Sequence, residues 1–320
     1  MKIIILDDYQ NIIKNLDCYK MIEGQNVEIL HKTEKNINKL AKLLKDAEII
    51  VLTRERTEIT DELLSLLPNL KLISQTGKIS NHIDLGVCSK YHVAVAEGIG
   101  SPTAPAELTW ALLMNTVRKI PQAIQAFKEG KWQTNIGSKI EGKTIGIWGY
   151  GKIGQRIAQY ANAFGAKVMI WGSENSRNKA VQDGFMSANT KEEFFKTADI
   201  ITFHLRLNNT TKGIVYESDL KLMKKNSVLI NTARAELIEK DALYNTLQHR
   251  KDILVGLDVY NEEPIYDPNY EFLKLDNVVC TPHLGYVEKN GYELYFGKAF
   301  ENVINYINNN PTNIANPEVL

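Results

Sequence analysis

Three polar residues stand late in the chain, each just past an apolar run: Arg234 in "NTARAELI", Glu263 in "LDVYNEEP" and His283 in "CTPHLGY". An arginine fork grips a carboxylate through two parallel hydrogen bonds. A histidine exchanges a hydroxyl proton near neutral pH, and a neighbouring glutamate fixes its tautomer and favours its charged form. Singly, each residue type is more often structural than chemical. Together they suit the gain or loss of hydride at a 2-hydroxy acid, provided that the chain can also hold a hydride carrier.

A candidate for that carrier's site lies upstream in "WGYGKIGQRI", where Gly149, Gly151 and Gly154 have the spacing G-x-G-x-x-G. Alone, the spacing is weak, because ordinary loops and the glycine-rich loop of protein kinases share it. Its neighbours are more specific. "TIGIW" before it reads as a strand, "GQRIAQYANAFG" after it as a helix, and "KVMIW" as the next strand of a βαβ unit. Gly149 then permits the tight turn, Gly151 the approach of a pyrophosphate, and Gly154 close packing of helix on strand. An NAD site usually has an acid about 20 residues on, for the ribose hydroxyls. Here Gly172 holds that place, within "IWGSENSRNK". Ser173, Ser176 and Arg177 suit a 2′-phosphate, whereas Glu174 repels one. The cofactor is read as NAD or NADP, with the balance leaning to NADP.

The elements that must position these residues follow from apolar patterning. "KIIIL", "NVEIL", "EIIVL", "LKLIS" and "HVAVA" form a first series, and "TIGIWG", "KVMIW", "DIITFHL", "SVLINT", "ILVGLDV" and "NVVCTP" a second. Such runs, apolar without alternation and separated by amphipathic segments, suit parallel strands covered by helices on both faces. The reading is α/β, with two open, doubly wound parallel sheets in tandem. Between them a helix is expected from about Thr103 to Gly130, capped by Ser101 and bent or broken near Pro121. "YELYFGKAFENVINYINNN" reads as a further helix, followed by a polar tail.

With 320 residues, 38 Lys+Arg and 38 Asp+Glu, the chain carries no net charge that would favour nucleic acid or an anionic membrane surface. Its three cysteines are too isolated for a disulfide framework or a zinc site, and no metal is expected. No signal peptide or membrane span is evident, so the expected location is cytoplasmic.

At this point the ordered set "GYGKIG", "NTARAELIEKDAL", "DVYNEEP" and "TPH" resembles the D-isomer-specific 2-hydroxyacid dehydrogenases. The resemblance extends over nearly the whole chain, through "VLTRERTEIT", "NHIDLGVCSKYHVAVAEG", "APAELTWALLM" and "KEGKW". It implies a flavodoxin-like substrate domain, discontinuous over 1–101 and 286–320, and a Rossmann cofactor domain over 102–285. It implies that Arg234 binds the substrate carboxylate and polarises the 2-oxo group, and that His283 exchanges the proton with Glu263 as its partner. Gly151, Lys152, Ile153 and Gly154 would meet the pyrophosphate, and Thr232, Ala233 and Asp258 the nicotinamide half. It further implies a homodimer built around the helix after Ser101.

The departures from the family cluster around the substrate. The substrate loop reads "TGKISNHID": Gly77 is kept, but Lys78 and Ile79 replace residues that are often small. The amides of Gly77 and Lys78 still suit a carboxylate, and the Lys78 ammonium suits a distal anion or, equally, plain solvent. Tyr286 follows "HLG" where a small residue is common, and suits a cap on the pocket or a subunit contact. The leading expectation is an NAD(P)-dependent oxidoreductase acting on a small D-2-hydroxy acid or its 2-oxo form. A formate dehydrogenase-like enzyme would have Gln beside the histidine, which Glu263 opposes. The alternative from another class is a dinucleotide-sensing corepressor-like binding module.

Overall fold

The computed structural model describes residues 1–320, which divide into two compact units: 1–101 with 288–320, and 102–287. Tyr286 and Val287 go with the second unit, two residues beyond the expected division.

The first unit is built on five parallel strands: β1 (Lys2–Ile5), β2 (Asn26–Ile29), β3 (Ile49–Leu52), β4 (Leu72–Gln75) and β5 (Ala94–Ala96). Their order, β2-β1-β3-β4-β5, is the flavodoxin-like arrangement. β1, β3 and β4 contribute the fully buried Ile3, Ile4, Ile49, Ile50, Leu72 and Ile73, as expected for strands covered on both faces. The helix Lys289–Ile307 returns to cover β4, burying Phe296 and Phe300, while the Ser74 hydroxyl donates to Ala299 O at 2.9 Å. The segment after it is not a loose polar tail. Asn316 is buried, its side chain accepts from Val95 N at 2.8 Å, and Ile314 bridges to Ala96. Asparagine here satisfies the open edge of β5, a pairing that hydropathy cannot reveal.

The second unit carries β6 (Thr144–Trp148), β7 (Lys167–Trp171), β8 (Met186–Ser187), β9 (Ile200–Phe203), β10 (Val228–Asn231), β11 (Leu254–Leu257) and β12 (Val278–Cys280). All seven are parallel, in the order β12-β11-β10-β9-β6-β7-β8. Counted from β6, this is the doubly wound dinucleotide-fold order with one added strand, and it reverses between β6 and β9. β8 has only two residues, too short to leave an apolar signature.

The helix expected over Thr103 to Gly130 is two helices, Thr103–Arg118 and Ile120–Lys128. The break falls at Lys119, which is left-handed at φ 53°, two residues before Pro121, whose ring disfavours a straight continuation of the first helix. Ser101 is not the cap. Pro102 holds the N-cap position, and the Ser101 N–H donates instead to the Tyr295 hydroxyl at 3.2 Å.

Candidate functional site

Parallel sheets present ligands beyond the carboxyl ends of their strands. In the second unit these ends collect every residue singled out there. The glycine loop follows β6 and opens the helix Lys152–Ala163, with Gly151 at its N-cap. Gly149 lies at φ 102°, and a β-carbon on it would stand 2.6 Å from the His204 carbonyl oxygen, so no other residue makes this turn. A β-carbon on Gly154 would meet Gly149 O at 2.0 Å, which fixes the close approach of helix and loop. Gly151 is different: no atom lies within 4 Å of its would-be β-carbon. The loop therefore has open space just where the first N–H groups of the helix, at Lys152 and Ile153, point outward without carbonyl partners. Residues and space both fit the diphosphate of a dinucleotide.

At the end of β7, Ser173 caps the helix Glu174–Gln182, its hydroxyl accepting from Ser176 N at 3.3 Å. The Arg177 guanidinium lies 5.0 Å from the centre of the Trp171 ring, and its buried Nε has no partner. Gly172 leaves no acid at the strand end.

Arg234 follows β10 in a turn clasped by Asn231, which is almost fully buried. The Asn231 amide donates to Arg234 O at 2.9 Å and accepts from Ala233 N at 3.1 Å. One arm of the Arg234 fork donates to Ala233 O at 2.6 Å. The Thr232 hydroxyl meets that of Thr109 at 2.6 Å. Thr109 gives its single proton to Pro105 O at 2.7 Å, so Thr232 is the donor between them.

The ends of β11 and β12 bring Glu263 and His283 together, with Glu263 Oε2 2.5 Å from His283 Nδ1. About a third of each side chain (31% and 32%) stays exposed, so the pair is reachable. Its second oxygen accepts from Tyr260 N at 2.9 Å. The Tyr260 hydroxyl donates to Thr281 O at 3.0 Å, tying the two loops to each other. His283 is left-handed at φ 52°, a conformation that the segment around it enforces. The enforcing group is Asp258, fully buried, whose carboxylate accepts from the Thr281 hydroxyl (2.6 Å), Leu284 N (2.7 Å) and Gly285 N (2.9 Å). Burial pushes the Asp258 carboxyl above its ordinary range, opposed by those three donors. The Tyr286 ring lies edge-on to the imidazole, with centroids 5.5 Å apart.

Tyr260, Thr281, Thr109 and His204 were not foreseen from sequence. The first three act through hydrogen bonds between distant segments, which no spacing encodes. His204, at the end of β9, bears on Gly149 through its carbonyl. Burial pushes its imidazole down to about 3, and its Nε2 lies 3.0 Å from the Thr202 hydroxyl.

In the first unit, Gly77 and Lys78 follow β4. Gly77 packs beneath the Arg54 guanidinium, whose Nη1 comes within 1.8 Å of a would-be β-carbon. Lys78 is exposed to solvent, and its ammonium also pairs with Glu97, 2.5 Å from Oε2.

Comparison with known proteins bears on the family. A family model described as the NAD binding domain of D-isomer specific 2-hydroxyacid dehydrogenases matches residues 110–285. A glyoxylate reductase of Thermococcus litoralis is 34% identical over 313 residues, which cover 94% of each chain. A D-3-phosphoglycerate dehydrogenase of Methanocaldococcus jannaschii is 33% identical over 89% of this chain, which spans only 53% of that relative's length. The crystal structure of a phosphoglycerate oxidoreductase from Vibrio cholerae is 50% identical, with a TM-score of 0.95 over 97% of this chain and 99% of that one. Two more distant solved structures hold ligands. An acyclic imino acid reductase with NADPH and D-Arg is 30% identical (TM-score 0.75, 98% and 99% covered). A D-lactate dehydrogenase of Aquifex aeolicus with NAD and lactic acid is 26% identical (TM-score 0.77, 98% and 99% covered). None of these findings supports the corepressor alternative. The chain belongs to the D-isomer-specific 2-hydroxyacid dehydrogenase family, a family of nicotinamide-dependent oxidoreductases.

Proposed function

We propose that this chain reduces small 2-oxo acids to D-2-hydroxy acids, or runs the reverse reaction, with His283, Glu263 and Arg234 as its catalytic residues. The observation that carries the reading is the 2.5 Å contact of Glu263 with His283 Nδ1, which leaves Nε2 to meet the substrate. A bound nicotinamide supplies or accepts the hydride. The chain's own work is to grip the carboxylate and to move one proton at Nε2. Arg234 serves as the fork for the substrate carboxylate. Asp258 and Tyr260 hold the His283 and Glu263 loops in register. Turnover of a panel of 2-oxo acids with NADH and NADPH tests the reading, and no activity on any of them rejects it.

The cofactor preferred is NADP. Support comes from the end of β7, where Gly172 takes the place of the acid that binds paired ribose hydroxyls and where Ser173 and Arg177 suit a phosphate, with Glu174 in the first turn of the next helix opposing it. Arg177→Gln is expected to lower kcat/KM for NADPH about tenfold or more, since hydrogen bonds to charged groups are worth about 1.5–3 kcal/mol. The value for NADH stays within about twofold. An equal loss with both cofactors, or a wild-type preference for NADH, overturns the assignment.

A homodimer is supported by an apolar stretch on and after the helix Ile120–Lys128. Ile124, Phe127, Trp132 and Ile136 are 51%, 65%, 75% and 89% exposed, too much for one surface segment to leave in water without a partner. Phe127 and Trp132 already stack edge to face, with centroids 5.8 Å apart. Light scattering is expected to give twice the chain mass, and the pair Phe127→Glu and Trp132→Glu to give the single chain. A monomeric wild type rejects the dimer. No helix is long and apolar enough to cross a membrane. The three free cysteines support residence in the reducing cytoplasm.

A further inference from the structure

A recess of about 450 Å³, its open mouth included, lies in the second unit beyond the carboxyl ends of β10 and β11. Its wall is aromatic. Tyr244 comes from the helix Ala242–His249, Tyr260 from the turn after β11, and Tyr270 and Phe272 from the segment before β12. These half-buried rings run on from one to the next. Centroids are 5.7 Å apart for Tyr244 and Phe272, 5.8 Å for Phe272 and Tyr270, and 5.6 Å for Tyr270 and Tyr260. Three exposed carboxylates, Glu239, Asp241 and Glu271, border the same space. No lysine or arginine lines it, and none of the three acids makes an ion pair, not even with the adjoining Lys240. Burial first, and then the charge of Asp241, push the Glu271 carboxyl above its ordinary range. Uncompensated negative charge thus stands beside ring faces that themselves attract cations. The acids, histidines and cysteines of the chain nowhere converge in a set that could hold a metal ion. The complementary ligand is therefore a cation with a carbon body.

Two residues of this wall also position the proposed catalytic groups. Tyr260 N donates to Glu263 Oε1 at 2.9 Å, and its hydroxyl donates to Thr281 O at 3.0 Å. The Asn231 amide donates to Arg234 O at 2.9 Å. We infer that the recess is an effector site for a small alkylammonium ion, whose binding favours the catalytic arrangement of Glu263, His283 and Arg234. The rings receive the alkyl groups and the charge, and the carboxylates complement it at the mouth. A ligand that fits the recess as formed stabilises the arrangement that forms it. The site stands apart from the proposed function, and only its effect on turnover rests on that reading.

Choline is the probe. Its controls are the uncharged alcohol in which carbon replaces the choline nitrogen, and sodium chloride at equal ionic strength. Calorimetry on wild type is expected to show saturable choline binding with a Kd of about 1 mM or below, and binding of the alcohol about tenfold weaker. Asp241→Asn combined with Glu271→Gln removes two charges, and asparagine tolerates the left-handed backbone of Asp241 at φ 62°. That pair is expected to weaken choline binding about fivefold or more. Tyr244→Leu keeps an apolar surface without a ring and weakens binding about threefold, which keeps the test decisive if the acid pair does not fold. Saturating choline is expected to raise wild-type kcat/KM for glyoxylate about twofold or more, and to leave the acid-pair variant unchanged at the same concentration. No saturable binding of choline, equal binding of the alcohol, or binding untouched by both variants overturns the site. Binding without a change in kcat/KM overturns the effector role. A wild type that binds choline as expected but turns over no 2-oxo acid overturns the proposed function instead and upholds the site.

Discussion

His283→Asn is expected to lower kcat by a factor of about 10²–10⁴, the usual contribution of a positioned acid or base. Affinity for the nicotinamide cofactor is expected to stay within about twofold of wild type, because the glycine loop proposed to hold it follows β6, whereas His283 follows β12. Asparagine is chosen because it tolerates the left-handed backbone that His283 adopts at φ 52°, so the loop keeps its shape. It also retains a hydrogen-bonding group toward Glu263 without any capacity to exchange a proton at neutral pH. The measurement is steady-state turnover beside a fluorescence titration with reduced cofactor. Unchanged turnover removes His283 from the reaction. Loss of cofactor binding in the same degree as turnover points to a collapsed loop.

Arg234→Lys is expected to lower kcat/KM for 2-oxo acids by about 10- to 100-fold, with both kcat and KM affected. The charge survives, but an ammonium cannot make two parallel bonds to a carboxylate, nor polarise the 2-oxo group from a fixed direction. The turn at Arg234 is set by Asn231 through backbone atoms, so the substitution leaves the local fold intact. Replacement by leucine should cost more than replacement by lysine. Equal kinetics for lysine and arginine assign the residue a role other than the fork.

Much of the architecture was legible because strands such as "TIGIW" and "SVLIN" are buried on both faces and so carry unbroken apolar runs. What escaped was decided by short elements and single contacts. β8 has two residues, Lys119 turned left-handed where Pro121 had marked only the vicinity of a break, and Asn316 sealed a sheet edge from inside a polar stretch. The site divides in the same way. Glycine spacing and the His, Glu and Arg positions are local signals tied to strand ends. The contacts that hold them in place, from Asp258 to the Thr281–Gly285 segment and from Tyr260 to Thr281, join segments more than 20 residues apart. Lys78 shows the limit most clearly, since its partner Glu97 sits 19 residues away in a different loop.

The helix Lys289–Ile307 covers β4 of the first unit although nearly two hundred residues of the second unit precede it in the chain. During synthesis at about 5–20 residues per second, the first strands made wait on the order of tens of seconds for their cover. The second unit, contiguous in sequence, has its whole core in hand by residue 287. Order of manufacture and order of completion are therefore opposite. Through that interval β4 is without the helix that later covers it, a window in which a holding chaperone has a defined surface to bind and a protease a defined region to cut.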